Sequence, residues 1–141
     1  MGQQQILILV LTIVIVSIAV YIGIDLFDRT MRQKHIDLLV NHTVMVASEA
    51  IAWKTKGSPF LGGGGSYLEL DTDGMNKLLM TENRLPGTVR ITRATVSEVD
   101  VVAVSDVYPE LGVLTQVVGE EIVETSIVYD GSITLPPLPG E

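Results

Sequence analysis

The chain has 141 residues, of which 47% are hydrophobic, and its formal net charge is −8 at pH 7. A chain of this length has room for one small domain and an appendage, not for two separately folded cores. It has only nine Lys and Arg residues, which argues against a nucleic-acid partner because phosphate binding needs clustered basic side chains. The lack of cysteine excludes disulfides, thiolate metal sites and a cysteine nucleophile.

The first 24 residues carry no charged side chain. Residues Ile6 to Ile24 are nearly all apolar, and a helix rising about 1.5 Å per residue would carry them across a hydrocarbon core of about 30 Å. We predict a helix because only a helix satisfies its own backbone hydrogen bonds in lipid. No basic residue precedes the stretch, and Asp25 stands where a signal peptide needs small residues, so we expect the segment to be retained.

The helical pattern continues beyond the apolar stretch, since neither Pro nor Gly occurs between Asp25 and Gly57. Apolar and small residues recur there at offsets of 3, 4, 7 and 8, which is typical of one buried helix face. Residues 1–56 are therefore predicted to form one long helix, apolar in its first half and amphipathic in its second. The residues predicted to pack against a sheet are Ile36, Leu39, Val40, Val44, Ala47 and Ile51.

Residues 57–86 are predicted to form a glycine-rich connecting loop, because the four glycines at 62–65 cannot hold a helix. We expect a short helical turn near residues 72–83, with Thr72 or Asp73 as its N-cap. The glycines lack the Lys-Ser/Thr that would make a phosphate-binding loop, so a plain linker is favoured.

From residue 87 onward, alternating and β-branched residues favour strands. The expected strands are 88–96, 99–104, 113–118 and 122–129, with 132–135 as an additional edge. We expect an antiparallel sheet of four or five strands with one face on the helix, hence an α+β fold. The proline-rich tail after Leu135 is expected to lie extended on the surface.

No motif predicts a catalytic, cofactor-binding or metal-binding residue. Asp71–Gly74 is similar to the start of a calcium loop, but the glycine that the loop needs at its sixth position does not follow, so a turn with a helix cap is favoured. His35 and His42 would lie about 10 Å apart on one helix face, too far to share a metal. With both histidines on the helix, a Ser-His-Asp triad in the β domain is excluded. The acidic strand around Glu120, Glu121 and Glu124 is interpreted as a solvated edge.

The order of an apolar helix half, an amphipathic half and a small β domain resembles the type IV pilins and pseudopilins over about the first 55 residues. Gly2 directly precedes the apolar helix, as the glycine before the prepilin peptidase cut does in that family, which implies processing between Gly2 and Gln3. Gly23 lies where the family's helices carry a Gly or Pro that can loosen in the filament. Gln3 and Leu7 occupy the positions at which family members usually carry Phe and Glu.

The resemblance implies a structural subunit rather than an enzyme: a homopolymer of an extracellular pilus-like filament or pseudopilus. The subunit would be stored in the inner membrane and assembled by pilus or type II secretion-like machinery, without a cofactor. Glutamines 3–5 could hydrogen-bond between subunits or simply cap the helix at the lipid headgroups. The predicted assembly residues are Gln3, Gln4, Gln5, Leu7, Ile8, Leu11, Ile15, Ile18 and Ile22.

A second interpretation stays open because Arg29, Arg32 and Lys34 follow the apolar stretch, whereas no basic residue precedes it. By the positive-inside rule, this asymmetry places the C-terminal part in the cytoplasm. It favours a single-pass membrane protein whose β domain binds a partner in an envelope complex.

Overall fold

The structure is a computed structural model that describes residues 2–57, 62–71, 73–84 and 86–135. It contains a long helix, α1 (Gly2–Thr55), and divides into two compact units, residues 1–34 and residues 35–141. Over its described residues, the first unit consists of α1 alone.

Between Ile6 and Ile24 the first unit presents an apolar surface on every side, because all these residues are exposed. Two of its hydroxyl groups, those of Thr12 and Ser17, are satisfied within the helix. The Thr12 hydroxyl donates to the Ile8 carbonyl oxygen, and the Ser17 hydroxyl donates to the Ile13 carbonyl oxygen, each at 2.8 Å. Such back-bonding lets both side chains sit in an apolar environment without a further partner.

The second unit contains an antiparallel sheet in which each strand pairs with the next along the chain. The α+β fold is confirmed, with the second part of α1 packed on a meander whose first strand has only two residues. The strand register shifts at two places, where Thr92 and Val123 each form a β-bulge. The strands are β1 (Asn83–Arg84), β2 (Gly87–Ala94), β3 (Glu98–Ser105), β4 (Gly112–Val118) and β5 (Glu121–Val128).

The core of the second unit lies between α1 and one face of the sheet. Alternate residues of the central strands, such as Val99, Val101 and Ala103 of β3, are fully buried, as expected for a pleated strand. Leu39 of α1 is fully buried as well, and a Cβ added to Gly87 would lie 2.8 Å from its Cδ2 atom. Glycine at the start of β2 therefore allows the helix to approach the sheet closely.

The glycine run, predicted as a plain linker, also caps the end of α1. The amides of Gly63 and Gly65 donate to the carbonyl oxygens of Trp53 and Lys54, each at 2.9 Å. These bonds satisfy carbonyls that have no partner within the helix. A Cβ on Gly63 would overlap the Trp53 ring, so this close approach requires glycine.

The predicted helical turn in residues 72–83 is present but shorter, as α2 (Gly74–Lys77), and a 3₁₀ turn (Leu68–Leu70) precedes it. Asp73 is the N-cap residue, but it has a φ of 59° and its side chain makes no capping bond. Its Oδ1 atom instead accepts a hydrogen bond from Asn76 Nδ2 at 3.2 Å. The other predicted cap, Thr72, lies outside the described residues.

The predicted edge strand 132–135 is wrong, because β5 forms that edge of the sheet. The chain turns at Asp130, whose Oδ1 accepts a hydrogen bond from the Ser132 amide at 2.9 Å, and Gly131 adopts a φ of 71°. This turn carries Ile133 against Gly112, where a Cβ would lie 2.7 Å from the isoleucine Cβ. Residues 136–141 of the predicted tail lie outside the described residues.

Candidate functional site

The first candidate surface is the apolar stretch of α1 from Ile6 to Ile24. Its large apolar side chains are between 48% and 76% exposed, and the helix is long and apolar enough to cross a membrane. Burying such a surface is favourable by roughly 25 cal/mol per Å². Contact with lipid or with other apolar helices would therefore stabilise this stretch.

All the predicted assembly residues lie on this helix and are exposed. The proposed processing position is at its beginning, since α1 starts at Gly2. At Gly23, an added Cβ would have no described atom within 4 Å, so nothing in the described residues requires glycine there. The predicted assembly residues are Gln3, Gln4, Gln5, Leu7, Ile8, Leu11, Ile15, Ile18 and Ile22.

Charge is divided unevenly along the chain. Residues 35–141 carry 15 of the 17 acidic residues but only six of the nine basic ones. The other three basic residues, Arg29, Arg32 and Lys34, follow the apolar stretch directly. Arg29 Nε lies 3.0 Å from Asp25 Oδ2, an exposed pair one helical turn apart. A local basic excess on α1 thus contrasts with a strongly acidic second unit.

The six residues predicted to pack on the sheet are all at least half-buried. Ile36, Leu39 and Ala47 are buried in the core, Val40 and Ile51 pack against it, and Val44 is half-buried.

The prediction missed Val46 and Trp53, which are 3% and 6% exposed and belong to the same core. They follow Leu39 at intervals of seven residues, two helical turns, and this repeat was available in the sequence.

One anchor between α1 and the sheet was not predicted. The Tyr67 hydroxyl donates to the Gly119 carbonyl oxygen at 2.7 Å, and Lys54 Nζ donates to the same oxygen at 2.8 Å. Lys54 Nζ also lies 4.9 Å from the centre of the Tyr67 ring. Burial, aided by the negative charge of Glu120, raises the pKa of Tyr67 above 10.0. These contacts fix the turn between β4 and β5 to the end of the helix.

The second candidate surface is a cleft of about 480 Å³ between α1 and the turn that follows α2. Leu79 at its edge is 94% exposed and has a φ of 57°. This left-handed backbone conformation is uncommon for a leucine. The cleft is lined by His42, Met45, Val46, Glu49, Leu78, Leu79, Met80, Thr81 and Val89.

No group of three or more potential metal ligands occurs among the described residues. The His35 ring contacts the edge of the Tyr108 ring, with their centres 5.3 Å apart, and His42 lines the cleft. In the sequon Asn41-His-Thr, the Thr43 side chain is fully buried and its hydroxyl donates to the Val40 carbonyl oxygen at 2.9 Å. This folded sequon does not present its threonine to an enzyme.

No family model matches the sequence, and comparisons with curated proteins and with solved structures gave no match. The two surfaces described above are therefore the features of the chain that indicate a function.

Proposed function

We propose that this chain is the structural subunit of a pilus-like filament or pseudopilus and polymerises through the apolar half of α1. One observation carries the proposal. Every buried core residue among the described residues lies at Ile36 or beyond, whereas every side chain from Ile6 to Phe27 is exposed. The apolar half of α1 is thus left to serve contacts outside its own chain.

The chemistry of this helix suits transfer between a bilayer and a bundle of identical helices. Lipid tails and apolar side chains are equally apolar, so the exchange has little hydrophobic cost, and association then depends on van der Waals packing. No charged side chain lies in the first 24 residues, so the transfer buries no charged side chain there. The subunit would be stored in the inner membrane and would leave it when assembly machinery of the pilus or type II secretion kind adds it to the extracellular polymer.

Electron microscopy of material from the surface of producing cells tests this proposal. Fibres that contain the chain, identified by mass spectrometry or by an antibody, are the expected result. Intact-mass measurement of the fibre subunit tests the processing step, because cleavage after Gly2 removes the first two residues. A chain that stays in the membrane fraction under all conditions, with no fibres, would contradict the polymer.

A second function, that of a single-pass membrane protein with a partner-binding β domain, is favoured by the basic residues that follow the apolar stretch. Because the chain has no cysteine, a single one introduced by Ser132→Cys reports on topology alone. Labelling of intact cells by a membrane-impermeant maleimide supports the filament subunit. Labelling only after lysis supports the cytoplasmic β domain.

A further inference from the structure

Leu79 has two features that are unfavourable in an isolated subunit. It follows the end of α2, where the Leu79 amide donates to the Asn76 carbonyl oxygen and the Met80 amide donates to the Met75 carbonyl oxygen, each at 2.9 Å. The residue at this position of a helix end adopts a left-handed conformation and is usually Gly or Asn, because a Cβ is strained there. The leucine side chain is nevertheless present, and it is 94% exposed.

Further apolar surface lies beside Leu79. Part of the adjoining cleft is lined by buried or half-buried apolar residues, namely Val46, Leu78, Met80 and Val89. On the helix side, Leu38 and Met45 are 45% and 46% exposed, and their separation of seven residues places them on one face of α1. Strained residues cluster at functional sites, and an exposed apolar patch is typical of an interaction surface. Leu79 and the cleft together form such a surface.

We infer that this cleft receives α1 of a second copy of the chain, an inference that rests on the polymer proposed above. The apolar stretch of α1 is uncovered on all sides, so it can lay one face onto the methionine, leucine and valine side chains that make up most of the lining, beside His42, Glu49 and Thr81. Methionine suits such a contact because its side chain adapts to the shape of its partner.

Charge complementarity selects the second copy as the occupant. Glu49 lines the cleft and forms no salt bridge within the described part of the chain. In a second copy, the basic residues Arg29, Arg32 and Lys34 directly follow the apolar stretch and could face this carboxylate. A bilayer surface would also cover apolar side chains, but anionic lipids repel a unit that carries 15 acidic and six basic residues.

Leu79→Gly tests the inference without damage to the fold, because glycine adopts the left-handed conformation freely. The thermal midpoint of the chain is expected to be unchanged or higher, while the yield of polymer falls about tenfold, as for the loss of one good apolar contact. Leu79→Asn should give the same loss of polymer, because asparagine also tolerates the left-handed conformation. Val107→Gly removes a 57% exposed side chain from the loop before β4 and should leave the polymer yield unchanged. Polymer formation by Leu79→Gly at the wild-type yield would overturn the inference.

Cysteine cross-linking gives an independent measurement, since the chain has no native cysteine. A copy with Leu79→Cys is mixed with a copy with Ile22→Cys during assembly and oxidised with copper phenanthroline. A disulfide-linked heterodimer is expected, and none with Val107→Cys in place of Leu79→Cys. Absence of the heterodimer overturns the inference. The inference is also overturned if Leu79→Gly no longer binds lipid vesicles while its polymer yield is unchanged, because a bilayer would then be the occupant. If Ile15→Lys abolishes the polymer and Leu79→Gly does not, this contact alone is excluded. If the wild-type chain forms no polymer, the proposed function is excluded as well.

Discussion

The Thr115 hydroxyl of β4 donates a hydrogen bond to the Thr43 hydroxyl of α1 at 3.0 Å, and both side chains are fully buried between helix and sheet. Thr43 in turn donates to the Val40 carbonyl oxygen, and Thr125 Oγ1 lies 3.3 Å from Thr115 Oγ1. A buried polar pair is costly unless it is satisfied, so this pair favours one position of the helix along the sheet.

Thr43→Val keeps the shape of the side chain and removes the acceptor for Thr115. The free energy of unfolding is expected to fall by about 1 to 3 kcal/mol, the usual effect of leaving a buried hydroxyl with poorer partners. Thermal unfolding of the full chain in detergent, followed by circular dichroism, measures the change. The double variant Thr43→Val/Thr115→Val should recover part of the loss, because both hydroxyls are then gone. Strictly additive losses would show that the two hydroxyls do not interact.

Tyr67 is expected to make stability depend on pH in the alkaline range. Its pKa in the folded chain is raised above 10.0, so folding favours the neutral phenol. The corresponding stability is fully present below pH 10.0 and is lost as the pH rises through the folded pKa. Thermal midpoints of the wild-type chain and of Tyr67→Phe should therefore converge between about pH 8 and about pH 11. A difference that does not change over this range would contradict the assignment.

Gly63→Ala tests the cap at the end of α1. The added methyl group would overlap the Trp53 ring and the Ser66 carbonyl oxygen, so the free energy of unfolding should fall by about 1 to 3 kcal/mol. Gly23→Ala is the matched control, because an added Cβ there meets no described atom within 4 Å. That change should be neutral or slightly stabilise the helix. Equal effects of the two substitutions on the thermal midpoint would rule out the cap.

Asp100→Asn is expected to stabilise the chain at neutral pH. Burial raises the pKa of the Asp100 carboxyl above 3.8, an effect that Arg93 Nη1 at 3.8 Å opposes and Glu98 adds to. A group with a raised pKa contributes stability below 3.8 that is lost as the pH rises and the carboxyl ionises. The Asp100→Asn variant should therefore be more stable than the wild-type chain at about pH 7 and equally stable at about pH 3. Thermal midpoints at the two pH values check this, and a gain at the lower pH alone would oppose it.

The fold class could be predicted from sequence because periodicity reports directly on burial. Helical spacing from Ile36 to Ile51 and the alternation of valines such as Val99 and Val101 each reflect one face turned to the core. The exposed surface from Ile6 to Phe27 could likewise be predicted, since no pattern in that stretch separates an inner face from an outer one.

The remaining features depend on tertiary contacts or on single backbone conformations. At the glycine cap the Trp53 ring lies against Gly63, and after β5 the chain turns at a hydrogen bond from the Ser132 amide to Asp130. The cleft depends on the left-handed conformation of Leu79, a residue type that gives no signal of it. Composition and spacing carry none of this information.

The central claim, that the apolar half of α1 builds a polymer, is tested most directly by Ile15→Lys. Ile15 and Val96 are both 57% exposed, so Val96→Lys, in the turn between β2 and β3, is a control matched in exposure. A lysine among packed apolar helices is costly, whereas a lysine in a solvated turn is not. Electron microscopy of surface material should show no fibres for Ile15→Lys and normal fibres for Val96→Lys, with unchanged unfolding of the β domain in both. Fibres of normal diameter from Ile15→Lys would contradict the claim.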